Sequence, residues 1–173
     1  MKEIIVASTN EGKIKEIKAM LEEIGIEVKS LKDVFDQDID IEENGKTFQE
    51  NALIKARACF KKTGKPSIGM DDTLYMENVP LDKQPGLFVR RVNGKSLTDE
   101  EMIKYYTSLV KEYGIDGRVN SKWIYGLAVI NELGEEATYT WSKDDFYMVS
   151  EPSPIINPGY PLNSISKYKI CIG

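Results

Sequence analysis

The stretch IIVASTNEGKIKEIKAML, over residues 4–21, constrains the fold more than any other part of the sequence. Its β-branched apolar start predicts a buried strand over residues 3–8. Apolar residues at three- and four-residue spacing then predict a helix over residues 13–24, with Gly25 as its stop. A second strand is predicted over residues 26–31. A strand, a helix and a further strand in this order favour an α/β fold.

The turn between this strand and helix carries a polar set of residues that suits an anion. The first amides of a helix lack internal partners, and the helix end carries a partial positive charge. Gly12 lets the backbone approach a ligand closely, and the turn also supplies short polar side chains and a cation. These side chains are Ser8, Thr9, Asn10 and Lys13. The alternative is a purely structural turn, since Asn and Gly favour turns in any case.

Composition limits the classes of function. The chain has 173 residues, of which 41% are apolar and 29% charged, as expected for a single globular domain over 1–173. A net charge of -5 argues against polymeric nucleic acid or an anionic membrane as partner. No apolar run reaches the roughly 18 to 20 residues of a membrane span, and Cys59 and Cys171 form no motif, so a cytoplasmic location is expected.

The sequence contains no histidine. This excludes Ser-His-Asp and Cys-His nucleophile systems and histidine-ligated zinc. Any proton chemistry must therefore come from carboxylates, lysines, tyrosines or a metal-bound water.

TFQENALIKARACFKKTG is the clearest helix signal. Thr47 and Glu50 predict a capping box, and Gly64 predicts the end. Asn51 and Lys55 stand one turn apart, off the apolar stripe. That stripe comprises Phe48, Ala52, Ala56 and Cys59 or Phe60.

Further elements are predicted towards the C-terminus. A helix over 99–113 begins with a capping box of Thr98 and Glu101. WIYGLAVI and ATYTW predict an antiparallel hairpin, FYMVS a further strand, and EPSPIINPGYPLNS a loop.

In the acidic stretch DVFDQDIDIEENG, acidic and apolar residues alternate, so that Asp38, Asp40 and Glu42 share one side if the stretch is extended. It is not an EF-hand, because Ile41 and Thr47 stand where a calcium loop needs Gly and Glu. A solvated acidic strand edge is the alternative to a metal-binding role.

The stretch PSIGMDDTLYM predicts a short strand that ends at Asp71 and Asp72. Adjacent carboxylates repel each other, and a divalent cation is one partner that resolves the repulsion. Mg²⁺ takes one or two protein carboxylates together with substrate phosphates. An exposed turn is the alternative. Together with the anion-suited turn, the pair favours a metal-bridged polyphosphate ligand.

Four segments, in this order, resemble the inosine triphosphate pyrophosphatase family: STNEGKIKEI, EENGKTFQENALIKA, PSIGMDDTLYM and PGLFVRRVNG. The resemblance implies an α/β fold with a long curved mixed sheet flanked by helices, two lobes with a central cleft, and a homodimer. It also implies Mg²⁺-dependent hydrolysis between the α and β phosphates, which converts ITP, dITP and XTP to monophosphates and pyrophosphate.

The resemblance further assigns roles to residues. Thr9, Asn10 and Lys13 are expected to hold the triphosphate. Glu42 and Asp72 are expected to bind the metal, and Asp72 also to accept the proton of the attacking water. Lys55 and Arg91 are further phosphate candidates.

The base-binding half departs from the family pattern. Thr73 and Leu74 replace the usual Ser-Gly, the loop NPGYPL keeps only Gly159 and Tyr160, and a C-terminal S-H-R is missing. Tyr160 and Trp141 are the two candidates for a stacking face on the base. Tyr160 is favoured because it lies in a loop, whereas a position in the core is the favoured interpretation for Trp141. The alternatives are a non-catalytic nucleotide-binding homologue and a Maf-like hydrolase for other modified nucleotides.

Overall fold

The computed structural model of the protein describes residues 2–35 and 41–169. Its elements alternate between strands and helices in the first half of the chain. They are β1 (Lys2–Ala7), α1 (Glu11–Glu22), β2 (Ile26–Ser30), α2 (Leu31–Val34), α3 (Phe48–Thr63), β3 (Ser67–Met76), β4 (Arg91–Val92), β5 (Lys95–Ser96), α4 (Asp99–Tyr113), β6 (Arg118–Ile130), β7 (Glu136–Val149) and β8 (Ser166–Tyr168), with short 3-10 helices at Leu81–Lys83 and Pro161–Ile165.

Six of these strands form one mixed sheet in the order β2-β1-β3-β6-β7-β8. β1 is parallel to both β2 and β3, and β8 is antiparallel to β7. β6 and β7 are neighbours joined by a five-residue turn over 131–135, which only an antiparallel pair permits. The predicted mixed α/β sheet flanked by helices is confirmed.

The chain divides into two compact units, each built from two segments. The first comprises Met1–Asp72 and Tyr125–Trp141, and the second comprises Thr73–Ile124 and Ser142–Gly173. Strands β3, β6 and β7 contribute residues to both. Among the described residues, no helix is long and apolar enough to cross a membrane.

In the first unit, α1 and α3 pack on opposite faces of the sheet. Alternate residues of a strand point to opposite faces, and β1 shows this directly. Val6 packs with Ile17 of α1, whereas Ile5 packs with Cys59 of α3. The apolar stripe predicted for α3 is confirmed, because Ala52, Ala56 and Cys59 are buried.

The second unit has its own core around α4. Met102, Tyr106 and Leu109 stand three or four residues apart and are buried on one side of α4, and the Tyr106 hydroxyl donates to the carbonyl of Val89 at 2.8 Å. The capping box of Thr98 and Glu101 is present. This helix has the predicted bounds because its start signal and its apolar period are both local in sequence.

Three sequence predictions are wrong. β3 does not end at Asp71 and Asp72 but continues to Met76. ATYTW and FYMVS form one strand, β7, rather than two. Trp141 is 45% exposed rather than part of the core. Asp38 and Asp40 lie outside the described residues, and residues 41–45 take no regular structure.

Candidate functional site

The turn after β1 is organised by Asn10, which caps α1. Its Oδ1 accepts hydrogen bonds from the amides of Gly12 at 2.9 Å and Lys13 at 3.2 Å. The Ser8 Oγ accepts from the Asn10 amide at 3.1 Å, while Thr9 is exposed. Two of the amides that the sequence suggested for an anion are thus bonded to Asn10. The positive side chain of this turn is Lys13.

Lys13 reaches from the first turn of α1 to Asp72 on β3. Its Nζ lies 2.9 Å from the Asp72 Oδ2, and the two side chains are only 17% and 21% exposed. An ion pair shielded to this extent is screened less than a surface pair. The first polar turn and the second aspartate, 59 positions apart in sequence, therefore form one site.

Asp71 points to the other face of the sheet, where it meets α3. The Asn51 Nδ2 donates to the Asp71 Oδ2 at 2.9 Å, and the Lys55 Nζ lies 3.6 Å from its Oδ1. Burial raises the pKa of Asp71, and the Lys55 ammonium opposes that rise. The expected repulsion between adjacent carboxylates is therefore relieved by strand alternation, which gives each aspartate its own lysine, and needs no shared cation.

The segment before α3 is tied to the same place. The Asn51 Oδ1 accepts from the Gly45 amide at 2.9 Å, so one carboxamide joins this segment to Asp71. A Cβ on Gly45 would lie 2.6 Å from that oxygen. The Lys55 Nζ also lies 3.0 Å from the Glu43 Oε1. Glu42, the predicted metal ligand, is exposed beside Glu43.

Sequence reasoning missed the roles of Asn51 and Glu43. The periodicity puts Asn51 off the apolar stripe of α3, yet the residue is buried, at 5% exposure. Its one-turn spacing from Lys55 was the available signal, since both side chains then face the same neighbour.

The cluster holds an excess of negative charge. Three carboxylates (Glu43, Asp71 and Asp72) face two ammonium groups (Lys13 and Lys55), which leaves a formal charge of about -1. The described residues contain no group of three or more His, Cys, Asp or Glu side chains ready to hold a metal. Carboxylate oxygens are hard ligands of the kind that Mg²⁺ prefers. Mg²⁺ takes only one or two carboxylates from the protein and completes its coordination sphere with water and substrate phosphates, so a smaller set of protein ligands fits it.

Two predicted substrate contacts belong to the second unit. Arg91 is exposed at the start of the β4–β5 hairpin, and Tyr160 is half-buried before the second 3-10 helix. The neighbouring Arg90 donates to the Leu97 carbonyl and to Asp99 at 2.8 Å, which is a structural role. The roles of Arg91 and Tyr160 stay predictions.

Comparisons with known proteins agree on one family. The model of the Ham1 family matches residues 4–139. A dITP/XTP pyrophosphatase of Bacillus licheniformis is 37% identical over 161 residues, 92% of this chain and 79% of the relative. The dITP/XTP pyrophosphatase of Bacillus subtilis is 35% identical, over 92% and 78% of the two chains. A solved Ham1 protein of Coxiella burnetii superposes with a TM-score of 0.69 at 26% identity, over 99% and 88% of the chains.

Proposed function

The chain belongs to the Ham1 family, and we propose that it is a nucleoside triphosphate pyrophosphatase acting on non-canonical purine nucleotides such as dITP, ITP and XTP. In this reaction water attacks the α-phosphorus, the bond to the oxygen bridging the α and β phosphates breaks, and a monophosphate and pyrophosphate are released. The names of the Bacillus relatives support the substrate class. The observation that carries the proposal is the pair of lysine–aspartate contacts at Asp71 and Asp72.

Lys13 and Lys55 are the proposed phosphate ligands. Each ammonium lies against a carboxylate on its own face of β3. Because β1 ends at Ala7, which pairs with Gly69, Asp71 and Asp72 lie beyond the end of β1, where a triphosphate of higher charge reaches both lysines and competes for them. The positive end of α1 adds to the attraction at Lys13. Movement of Lys13 onto a phosphate oxygen releases Asp72 from its ion pair.

Asp72 is the proposed proton acceptor. Its carboxylate is partly shielded and sits beside the phosphate-binding lysine, where it can orient a water for in-line attack and take up its proton. Asp71 has a positioning role, because its contact with Asn51 holds α3 and therefore Lys55 against β3.

We also propose that the reaction requires Mg²⁺, with Asp72 and Glu42 as predicted ligands. Glu43, which lies beside Lys55, is a further carboxylate of the site. When bound, Mg²⁺ supplies charge neutralisation to the phosphates. The excess of carboxylates around Lys13 and Lys55 supports this proposal, because carboxylate oxygens are hard ligands of the kind that Mg²⁺ prefers.

A panel assay tests the function. The purified protein is offered ITP, dITP, XTP, dUTP and the ordinary triphosphates, with Mg²⁺ or with EDTA, and pyrophosphate release is measured. We expect turnover of the non-canonical purines that EDTA abolishes. Binding of these nucleotides without any turnover would instead indicate a non-catalytic homologue, and selective turnover of dUTP a hydrolase for other modified nucleotides.

The substitution Asp72→Asn tests the proposed base. It keeps the shape of the side chain and removes its charge, so we expect a loss of turnover of about 10²-fold or more with little effect on folding. Asp144→Asn is the matched control, because Asp144 also belongs to an adjacent aspartate pair within a strand but is exposed. If the two variants retained equal activity, Asp72 would not be the proton acceptor.

We further propose a cytoplasmic homodimer. The family resemblance supports the dimer, and the absence of a cysteine motif from the sequence supports the location. Light scattering coupled to gel filtration measures the mass in solution, and a monomeric mass at micromolar concentration would contradict the dimer.

A further inference from the structure

Five residues of the first unit form a closed ring of polar contacts. The Gly45 amide donates to the Asn51 Oδ1, and the Asn51 Nδ2 donates to the Asp71 Oδ2, both at 2.9 Å. The Asp71 Oδ1 lies 3.6 Å from the Lys55 ammonium, which lies 3.0 Å from the Glu43 Oε1. The backbone between Glu43 and Gly45 closes the ring. The segment 41–45 is therefore joined to Asp71 by two bridges, one through Asn51 and one through Lys55.

The two bridges respond differently to a bound triphosphate. The Lys55 bridge is ionic, and the Glu43 side chain is 45% exposed, so a phosphate can replace Glu43 on the ammonium. The Asn51 bridge runs through a neutral carboxamide that is only 5% exposed. A phosphate has little access to this group and no opposite charge to attract it. The Asn51 bridge therefore stays closed when the Lys55 bridge opens.

The segment 41–45 is also fixed at its other end. Ile41 is partly buried and packs against an apolar cluster that contains Ile5 and Cys59. Glu42 and Glu43 lie between this apolar contact and the Gly45 amide. When Glu43 leaves Lys55, its side chain can turn into solvent while the two ends hold the backbone of the segment in place.

The backbone at Gly45 approaches Asn51 unusually closely. A Cβ at position 45 would lie 2.6 Å from the Asn51 Oδ1 and 2.9 Å from the Asn51 amide nitrogen, so the contact requires glycine. The neighbouring Lys46 amide donates to the Glu50 carboxylate at 2.6 Å, but this contact is exposed and water can replace it. No such replacement serves the buried Asn51, whose loss leaves its partners unsatisfied.

We propose that Asn51 is a positioning residue that keeps the segment 41–45 beside β3 while a triphosphate is bound. This inference rests on the proposed function, in which Glu42 of the segment is a predicted metal ligand and Asp72 of β3 is the proton acceptor. A displacement of about 1 Å in such a site can lower a rate by about 10²-fold. Asn51 acts on turnover through Gly45 and Asp71, without touching the substrate.

Steady-state kinetics with ITP test this role. Asn51→Leu removes both hydrogen bonds, and we expect kcat per folded molecule to fall about 10- to 100-fold while KM changes by less than about threefold. The double variant Asn51→Asp with Asp71→Asn exchanges donor and acceptor, keeps the charge of the ring and restores both hydrogen bonds. It should regain kcat to within about threefold of the wild type. A double variant as slow as Asn51→Leu, or Asn51→Leu within about twofold of the wild type, would overturn the proposal.

Two further variants separate positioning from stability. Gly45→Ala pushes the segment away from Asn51 but leaves the hydrogen bond to Asp71, so kcat should again fall at least about 10-fold. Ser67→Ala is the matched control, because the buried Ser67 hydroxyl donates to the Ala56 carbonyl at 3.0 Å and links β3 to α3 four residues before Asp71. It should lower stability and leave kcat within about twofold of the wild type. Equal losses of kcat in Ser67→Ala and Gly45→Ala would contradict a positioning role.

Exchange of the Gly45 amide, followed by NMR, provides a readout independent of turnover. In the wild type we expect inorganic tripolyphosphate to change the exchange rate by less than about threefold, because the Asn51 bridge stays closed. In Asn51→Leu with tripolyphosphate the amide should exchange at least about 10-fold faster. Equal rates in the two proteins, or loss of protection in the wild type with tripolyphosphate, would overturn the proposal. A wild type that turns over no triphosphate would refute the proposed function, and the Gly45 exchange would still decide whether Asn51 holds the segment.

Discussion

Gly69 is the residue at which the structure predicts the most severe effect of adding one methyl group. It lies on β3, two residues before Asp71 and on the same face, where α3 crosses the strand. A Cβ at position 69 would lie 1.9 Å from the carbonyl oxygen of Ala52 and 2.8 Å from the amide nitrogen of Ala56. Both contacts are with the backbone, so no change of rotamer can relieve them.

The size of the effect follows from these distances. Ordinary contact begins at 3.4 Å, so Gly69→Ala must separate strand and helix by about 1.5 Å. The hydrogen bond from Asn51 to Asp71, now 2.9 Å, would then stretch to about 4.4 Å and be lost. Overpacking costs about 1–3 kcal/mol, and an unsatisfied buried polar group a further 1–3 kcal/mol. The gain of about 0.5–1 kcal/mol from replacing a strand glycine is smaller.

Urea unfolding measures this change in stability. We expect Gly69→Ala to lower the free energy of unfolding by about 1–5 kcal/mol, a substantial share of the total for a domain. Activity should fall as well, because α3 carries Lys55 and β3 carries the aspartates. Any folded fraction should therefore be a poorer catalyst per molecule.

Gly126→Ala is the matched control. A Cβ there would meet the Phe48 ring at 2.7 Å, and a ring can move where a backbone cannot. We expect a smaller loss of stability and recovery in the double variant with Phe48→Leu. If Gly69→Ala were destabilised by less than about 1 kcal/mol, or no more than Gly126→Ala, the close approach of α3 to β3 would not control stability.

Three further predictions concern single side chains. Lys13→Ala should raise the KM for triphosphates by 10-fold or more while Lys13→Arg raises it less, and an unchanged KM in steady-state kinetics would remove Lys13 from phosphate binding. Burial raises the pKa of the Cys59 thiol to about 11; in a Cys171→Ser background, alkylation of Cys59 by iodoacetamide at pH 8 should therefore be at least about 100-fold slower than that of an unfolded thiol, and equal rates would contradict the buried site. Thr98→Ala removes the cap of α4 and should lower the free energy of unfolding by about 1 kcal/mol in urea, whereas no change would mean that the capping box contributes nothing.

The parts of the fold that sequence predicted well are those specified by neighbours in the chain. Helices α1, α3 and α4 are capped by Asn10, Thr47 and Thr98, and each cap accepts from an amide two or three residues away. The αL conformation of Gly64 ends α3 as expected, with φ of 66°. These signals are local, so they could be recognised without any tertiary structure.

The errors arose where distant segments override local preference. Aspartates are poor strand formers, yet β3 runs through Asp71 and Asp72 because Lys55 and Lys13 stabilise them from opposite faces. Neither lysine is near the aspartates in sequence. Trp141 was assigned to the core from residue type alone, and its partner Tyr125 lies on another strand.

The structure shows how the charges of Asp71 and Asp72 are stabilised. The sequence offers a shared cation as one way to relieve two repelling carboxylates, whereas in the structure alternation along β3 directs them apart, and each has its own lysine. In the proposed mechanism a triphosphate displaces carboxylates from Lys13 and Lys55, and Asp72 becomes available when the substrate binds. The proposal therefore couples substrate binding to exposure of Asp72 through one ion pair. Lys13→Ala separates the two effects, since it removes a phosphate ligand but leaves Asp72 permanently released, so kcat should fall less than kcat/KM.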